Sequence, residues 1–150
     1  MVKREKKTKK FGKTVKRTEK PDVSTDNLKV IWAFDNIDKD GTFAFAFNSV
    51  TFPHKEILGK MISYASMTWT ELDRQTHDAG KSKNHFLEFE SLSKEAKERF
   101  KYKFPEFDTA DSIFSFALQN KLRIIGVRDG QIFHAIWYDP EHKFCPSHKR

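Results

Sequence analysis

The sequence contains a single cysteine, Cys145, and no apolar run near the roughly 18 residues that a membrane helix needs. One thiol cannot form an internal disulfide, and it fits a reducing compartment. The basic N-terminus is followed by no apolar segment, so we expect no secretory signal. These absences predict a soluble, cytoplasmic protein with no membrane partner.

Excess charge is also missing from most of the chain. The formal net charge is +7, but residues 1–20 contain ten Lys or Arg against two Glu and therefore carry +8. The other 130 of the 150 residues consequently sum to −1. This balance gives no reason to expect a basic groove on the folded part of the chain.

Residues 1–26 are almost without apolar side chains, so they cannot bury enough surface to offset the entropy lost on ordering. We predict a disordered, lysine-rich tail followed by a single domain at 27–150, where hydrophobic residues suffice for a core. The tail could hold a polyanion such as RNA by counterion release, which weakens with salt. An extension that only aids solubility explains the same composition equally well.

The clearest structural signal is a β-hairpin near the C-terminus. Two β-rich runs, Leu122–Val127 and Gln131–Tyr138, flank Asp129 and Gly130, which supply the positive φ angles of a tight turn. Both faces of the second run are largely apolar, so the hairpin is predicted to lie in the middle of a sheet. Strict alternation gives the two faces as Ile132, His134, Ile136 and Tyr138 against Phe133, Ala135 and Trp137.

Helical and strand patterns alternate elsewhere without a regular βαβ rhythm. Helices are predicted at His54–Met67, from Thr68 through a capping box with Glu71, and at Lys94–Tyr102 after the N-cap Ser93. The whole pattern predicts an α+β fold: an antiparallel sheet of four to five strands with two to three helices packed on one face. The remaining predicted strands are Leu28–Phe34, Thr42–Phe47, His85–Phe89 and Ser112–Leu118.

A polar turn separates the first two of these strands. Its residues have the spacing that opens a calcium loop, but Phe47 stands where a bidentate Glu is needed. A hairpin turn explains the same residues better, so we predict no metal here. The turn residues in question are Asn36, Asp38, Asp40 and Gly41.

Polar side chains around the hairpin are the candidates for chemistry. Arginine grips phosphate through two parallel hydrogen bonds, and a histidine titrating near neutrality can exchange a proton with a ribose oxygen. Such groups suit RNA cleavage without metal, in which a base activates the 2′-hydroxyl and cations stabilise the phosphorane. The predicted catalytic residues are His142, Arg123, Arg128 and His134, and the predicted substrate-binding residues are His85, Arg99 and Lys143.

Structural explanations compete with these roles. His134 lies mid-strand between apolar residues, a position that favours a packed core histidine. His142 is the strongest candidate because it follows the strand end, where a rigid scaffold displays functional groups. Structural roles are predicted for Asp129 and Gly130 in the hairpin turn and for Asp139 and Pro140 at the end of the strand.

Metal and thiol chemistry are weaker hypotheses. No pair of potential ligands near the C-terminus has a spacing specific to zinc, and there is no second cysteine. Cys145 lies between Phe144 and Pro146, a poor setting for a nucleophile. We therefore predict no metal and no cofactor. The ligands considered are His134, Asp139, His142, Cys145 and His148.

Two C-terminal stretches are distinctive: Arg123-Ile124-x-Gly126-x-Arg128 and Phe133-His134-x-x-Trp137-x-Asp139-Pro140-Glu141-His142-Lys143-x-Cys145-Pro146-Ser147. Together with Met67-Thr68-Trp69 and Leu92-Ser93-Lys94-Glu95-Ala96-x-x-Arg99, they resemble a group of small, largely uncharacterised bacterial proteins. The resemblance covers most of Leu28 to Lys149 and implies no particular activity.

More distantly, the order of helices, an arginine-bearing strand and a hairpin ending in polar and basic residues is similar to the RelE/ParE-like toxins. That resemblance implies an endoribonuclease that cuts ribosome-bound mRNA with Arg, Lys, His or Tyr on the sheet, and an antitoxin that covers the site. A non-catalytic module is the alternative. In it, aromatic surface around Phe43–Phe52 would contact another protein while the tail binds polyanions.

Overall fold

The computed structural model describes residues 23–75, 83–105 and 112–146. Within these ranges no helix combines the length and apolar character needed to cross a bilayer. The strands are β1 (Ile31–Ala33), β2 (His85–Phe86), β3 (Ile113–Ala117), β4 (Arg123–Asp129) and β5 (Ile132–Asp139). The helices are α1 (His54–Ala65), α2 (Trp69–Asp73) and α3 (Lys94–Lys103), with short 3-10 helices at Val23–Asn27 and Phe89–Ser91.

The five described strands form one sheet in the order β1-β5-β4-β3-β2. The α+β class, the number of strands and the central hairpin are confirmed, and β4 lies in the middle of the sheet. The sheet is mostly antiparallel, as predicted, but the pair β1–β5 is parallel. A parallel pair needs a long connection, and here almost the whole domain lies between the two strands.

We expected the helices to pack on one face of the sheet, but they pack on both faces. Helices α1 and α2 pack against the face that carries Phe114, Phe116 and Phe133, here called the α1 face. Helix α3 packs against Ile125 and Trp137 on the other side, here called the α3 face. Strand β3 is buried along its whole length, so both of its faces need a cover.

A β-bulge in the central hairpin overturns the predicted alternation. Ile125 pairs with Trp137 but Gly126 pairs with Ala135, which leaves Ile136 as the extra residue. Trp137 therefore packs on the α3 face with Ile136, while Tyr138 packs on the α1 face. Periodicity predicted the reverse for Trp137 and Tyr138, because one inserted residue flips every side chain after it.

Helices α2 and α3 begin at their predicted caps. Thr68 Oγ1 accepts a hydrogen bond from the Glu71 backbone N, and Glu71 Oε1 accepts one from the Thr68 backbone N. Ser93 Oγ accepts from the Ala96 backbone N at the start of α3. These local contacts explain why short sequence motifs predicted the helix starts.

Several predicted strands are shorter or absent. Leu28–Phe34 and His85–Phe89 shrink to β1 and β2, and a 3-10 helix replaces the end of the latter. Thr42–Phe47 is a loop with no strand, so the hairpin predicted around Asp38 to Gly41 was wrong. Tertiary contacts made by the loop override its strand-like composition.

The aromatic residues of this loop point into the core. Phe43, Phe45 and Phe52 are at most 7% exposed, and the Phe45 and Phe52 ring centroids lie 5.4 Å apart. The large apolar side chains that stay exposed between 43 and 52 are Phe47 and Val50. The aromatic docking surface expected around Phe43–Phe52 is therefore mostly interior.

Most of the predicted tail, residues 1–22, lies outside the described residues. The last residues of the predicted tail are described, and they form a 3-10 helix at Val23–Asn27. Asp26 in this helix forms an ion pair with Arg128 of β4, with 2.8 Å between Oδ1 and the guanidinium nitrogen. A long-range partner of this kind could not be read from local composition.

The bulge predicts opposite effects for two glycine-to-alanine substitutions. A Cβ at residue 126 would lie 1.9 Å from the His134 carbonyl oxygen, so Gly126→Ala must force the two strands apart. We expect this variant to lose roughly 3 kcal/mol or more of unfolding free energy. Gly59→Ala, in α1 where the new Cβ meets nothing within 4 Å apart from the adjoining helix backbone, should gain roughly 0.5–1 kcal/mol. Urea unfolding measures the free energy of both variants. Similar losses of unfolding free energy in the two variants would contradict the close approach of the strands at Gly126.

Candidate functional site

One end of the sheet brings together residues from three strands on the α3 face. Arg123, the first residue of β4, pairs with Asp139 at the end of β5 and with Ala117 at the end of β3. His85 of β2 pairs with Ser115, which shares a face with Ala117 because it lies two residues before it. Directly opposite residues in a sheet present their side chains on the same side. Arg123 and Asp139 are therefore neighbours on one face, and His85 lies on the same face two strands away from Arg123.

A tight turn after β5 brings His142 to the same place. The Asp139 carboxylate accepts hydrogen bonds from the backbone N of Lys143 at 2.9 Å and of Phe144 at 2.8 Å, which folds the chain back. His142 has a φ of 60°, a left-handed conformation that histidine adopts more readily than most residues. Its imidazole interacts electrostatically with Arg123, Asp139 and His85. We call these four residues the strand-end patch.

The environment of His142 favours its neutral form. The residue is half-buried, and burial, followed by the positive charge of Arg123, lowers its pKa below the ordinary 6.5. The negative charge of Asp139 opposes this shift without cancelling it. The lowered pKa favours the neutral imidazole, whose nitrogen lone pair can accept a proton.

Arg123 is anchored by one side of its guanidinium. One terminal nitrogen donates to the carbonyl oxygens of Asn120 at 2.8 Å and Leu122 at 2.9 Å. The rest of the guanidinium makes no hydrogen bond to any residue that the structure describes. Burial lowers the pKa of Arg123, but an arginine stays charged in proteins. A fixed cation with open donors is suited to a phosphate oxygen.

Arg128 lies at the other end of the hairpin and has a structural role rather than the predicted catalytic one. It is 5% exposed, and its guanidinium donates to Asp26, to Thr25 and to the Gly130 carbonyl oxygen. The guanidinium carbon also lies 4.0 Å from the centroid of the Trp69 ring. These contacts tie the first 3-10 helix to the hairpin turn and occupy the groups that would hold phosphate.

Arg99 is likewise committed to the fold rather than to substrate. Its Nε and a terminal nitrogen donate to the two Asp38 carboxylate oxygens at 2.7 and 2.8 Å. Trp137 Nε1 donates to the same carboxylate at 2.9 Å, and the Asp38 backbone N donates to the Ile136 carbonyl oxygen at 2.9 Å. Asp38 therefore fastens the loop between β1 and α1 to both α3 and the bulge.

His134 is also outside the patch. It is 7% exposed in the middle of β5, and its Nδ1 lies 3.4 Å from Asp35 Oδ1. This position matches the core interpretation of His134 rather than the catalytic one. Lys143 is exposed beside His142, where a lysine can reach solvent-borne phosphate.

The residues predicted to be structural lie in the two turns. Gly130 has a φ of 65° at the tip of the hairpin, and Asp129 pairs with Ile132 next to it. Asp139 is 2% exposed because its carboxylate closes the turn that follows β5, and Pro140 is exposed within that turn. Asp139 thus supports the patch as well as the fold.

Two residues that sequence reasoning missed hold the end of β3 beside the patch. The Tyr64 hydroxyl donates to the Ala117 carbonyl oxygen, and Asn84 Oδ1 accepts from the Ala117 backbone N at 2.9 Å. Tyr64 lies within the predicted helix His54–Met67, but it was assigned no role from the sequence. The signal available was its hydroxyl, since a buried tyrosine needs a hydrogen-bond partner.

Metal ligation and thiol chemistry find no support in the described ranges. They contain no group of three or more His, Cys, Asp or Glu residues arranged to hold a metal ion. Asp38, from the calcium-like turn, uses its carboxylate on Arg99 and Trp137 instead. Burial raises the pKa of the Cys145 thiol, which donates to the Ser91 carbonyl oxygen, and a raised pKa disfavours the thiolate form.

Fold and site together define a small α+β protein with two histidines and an arginine at one end of its sheet. Comparisons of the chain with protein-family models, with curated proteins and with solved structures found no match. The chemistry of the strand-end patch is therefore the basis on which a function can be assigned.

The Asp38–Arg99 pair predicts a specific loss of stability in acid. Burial alone would raise the pKa of Asp38, but the hydrogen bonds from Arg99 and Trp137 outweigh burial and lower it below the ordinary 3.8. A depressed carboxylate pKa contributes stability that is present above the unfolded-state value and lost as pH falls through the folded-state value. Asp38→Asn should lower the unfolding free energy at pH 7 by roughly 1–3 kcal/mol.

Urea unfolding between about pH 5 and pH 2 measures this dependence. Asp38→Asn should lose less further stability than wild type as the pH falls below about 4. The matched control is Glu56→Gln, because Glu56 is an exposed carboxylate of α1 and is not part of the Asp38–Arg99 pair. If the unfolding free energies of Asp38→Asn and wild type fell in parallel as the pH is lowered, the stabilising role of the Asp38–Arg99 pair would be contradicted.

Proposed function

We propose that the protein is a metal-independent endoribonuclease of RelE-like type that cuts mRNA at the strand-end patch. The observation that supports this most is the convergence of an uncharged, half-buried His142 with Arg123 and His85 at one end of the sheet. The other sequence-predicted cations, Arg99 and Arg128, are held in ion pairs and are not part of the proposal.

Each group in the patch has a role in this chemistry. His142 accepts the proton of the ribose 2′-hydroxyl, whose oxygen then attacks the adjacent phosphorus. Arg123 stabilises the negative charge that develops on the phosphorane oxygens. His85, exposed on β2, gives a proton to the departing 5′-oxygen. The products are a 2′,3′-cyclic phosphate and a 5′-hydroxyl, and no metal or cofactor takes part.

The proposal also includes a protein partner. An active RNA-cutting patch that is partly open to solvent would harm the cell unless its access were controlled. In the RelE-like interpretation, a cognate antitoxin covers the patch and is removed when the toxin acts. Expression of the chain alone should then arrest growth, and co-expression with the antitoxin should restore it.

The nuclease prediction concerns His142. Purified protein should cut single-stranded mRNA, with or without ribosomes, in the presence of a chelator. His142→Ala should slow cleavage by roughly 10²–10⁴-fold because the base is lost. Wild-type cleavage should decline on the acid side through a pKa below 6.5, because protonated His142 cannot accept a proton. Cleavage is measured on end-labelled RNA, with the cyclic phosphate identified on the products.

His54→Gln is the matched control, since His54 is an exposed histidine of α1 outside the patch. It should cut as wild type does. Intact RNA under every condition, or a folded His142→Ala variant that cuts at the wild-type rate, would overturn the proposal. Circular dichroism confirms that each variant is folded before its rate is compared.

A second interpretation, a non-catalytic nucleic-acid-binding module, is favoured by the charge of +8 on residues 1–20. Removing these residues discriminates between the two functions. A binder that depends on the tail should lose its salt-sensitive association with RNA, whereas a nuclease should still cut. Filter binding at two salt concentrations and the cleavage assay on the same truncated chain give the answer.

A further inference from the structure

We propose that Asp40 is a site of spontaneous covalent modification, at which the bond between Asp40 and Gly41 rearranges to an isoaspartyl bond. The sequence contains two Asp-Gly pairs, Asp40-Gly41 and Asp129-Gly130. A glycine after aspartate favours this rearrangement because no side chain hinders the approach of its backbone nitrogen. The fold exposes the first pair and restrains the second, so the reaction takes place at Asp40. It does not require the nuclease activity.

The reaction is an internal cyclisation followed by hydrolysis. The Gly41 backbone nitrogen attacks the side-chain carboxyl carbon of Asp40 and forms a C–N bond, while the nitrogen's proton and the carboxyl hydroxyl leave as one molecule of water. Solvent water then opens the resulting succinimide at either of its carbonyl groups. Opening at the α-carbonyl breaks the original peptide bond and leaves the main chain running through the β-carbon of Asp40. Opening at the other carbonyl restores aspartate.

Both reacting groups of the first pair are accessible. Asp40 and Gly41 are exposed in the loop between β1 and α1. Among the described residues, the Gly41 backbone nitrogen donates no hydrogen bond and the Asp40 carboxylate accepts none, although this carboxylate attracts Arg99 electrostatically. The nitrogen can therefore turn toward the carboxyl carbon without breaking a contact of the fold.

The second pair is restrained by the central hairpin. Asp129 is the last residue of β4 and pairs with Ile132, so its backbone is held in a strand conformation. The Gly130 carbonyl oxygen also accepts a hydrogen bond from Arg128 Nε at 2.8 Å. The succinimide ring requires an aspartate ψ angle far from that of a strand, so cyclisation here would disrupt the pairing at the hairpin tip.

An asparagine in the same loop is restrained in a different way. Asparagine can form the same succinimide with loss of ammonia, and Asn48 is exposed before the small residue Ser49. The Ser49 backbone nitrogen, however, donates to the Ala46 carbonyl oxygen at 3.1 Å. Because this nitrogen is engaged, Asn48 is a poorer site than Asp40.

The modification would loosen the contact between this loop and α3. Isoaspartate adds one carbon to the main chain between Asp40 and Gly41. There is little space for it, since a Cβ on Gly41 would lie 3.0 Å from Arg99 Nε, the nitrogen that donates to Asp38 at 2.7 Å. The Asp40 backbone nitrogen also lies 3.3 Å from Asp38 Oδ1, to which it donates. A longer main chain must therefore disturb the Asp38–Arg99 pair.

The test is prolonged incubation of the folded full-length chain at physiological temperature, followed by peptide mapping. Isoaspartyl bonds are detected with a methyltransferase specific for isoaspartyl carboxyl groups, and they are located by chromatography of the isomeric peptides. We expect them to accumulate several-fold faster at Asp40 than at Asp129 in the folded chain, and at similar rates in the chain unfolded in urea. Equal rates in the folded chain, or no product at Asp40, would overturn the proposal.

Three variants test the chemistry of the site. Asp40→Asn should form the product faster, because ammonia leaves an amide more readily than water leaves a carboxylate. Asp40→Glu should form almost none, because the larger ring that glutamate would form closes slowly. Asp129→Glu is the matched control and should leave the accumulation at Asp40 unchanged. Equal accumulation of isoaspartyl bonds in wild type and Asp40→Glu would place the reaction elsewhere and contradict the assignment to Asp40.

Urea unfolding of the incubated chains tests the effect on the Asp38–Arg99 pair. The unfolding midpoint should fall more during incubation in wild type than in Asp40→Glu, in proportion to the isoaspartate formed. A midpoint that stays constant while isoaspartate accumulates at Asp40 would contradict the link between the modification and this pair.

Discussion

The β-bulge opposite Gly126 is the constraint on which the rest of the structure depends. The absence of a side chain at Gly126 lets the backbone of β5 approach, and the extra residue, Ile136, then changes which face each later residue occupies. Without the bulge, Asp139 would share a face with Phe133 and lie on the opposite side from Arg123. With it, Asp139 lies beside Arg123 and its carboxylate folds the next turn so that His142 joins them.

The charged residues of the domain divide into two functional kinds. Asp38 with Arg99 and Asp26 with Arg128 fasten loops to the sheet. In each pair one member is largely buried and would be left as an uncompensated charge if the other were removed. Arg123 instead donates hydrogen bonds only to backbone carbonyls within the described residues, so its other guanidinium donors can bond a ligand. The near-neutral balance of the domain thus conceals one local site where positive charge meets a neutral imidazole.

Much of the fold was predictable from the sequence because its signals are local. Capping by Thr68 and Ser93, the Asp129-Gly130 turn and the apolar runs of the hairpin each depend on residues that are close in the chain. The bulge, the parallel pairing of β1 and the burial of Asp38 depend on contacts between distant segments, and no local pattern encodes them. His85, Arg123 and His142 were identified as candidates from their residue types and their places near strand ends. Their separation from Arg99 and Arg128 depends on contacts between distant segments, so it could not be predicted.

The most direct test of the central claim is an NMR titration of the His142 imidazole in wild type and in Arg123→Met. Our account predicts that His142 titrates below 6.5 in wild type, since burial and the charge of Arg123 both lower its pKa. Removing that charge should move the pKa of His142 upward. A His142 that titrates at its ordinary value in wild type, or does not respond to Arg123→Met, would show that the bulge does not assemble the patch.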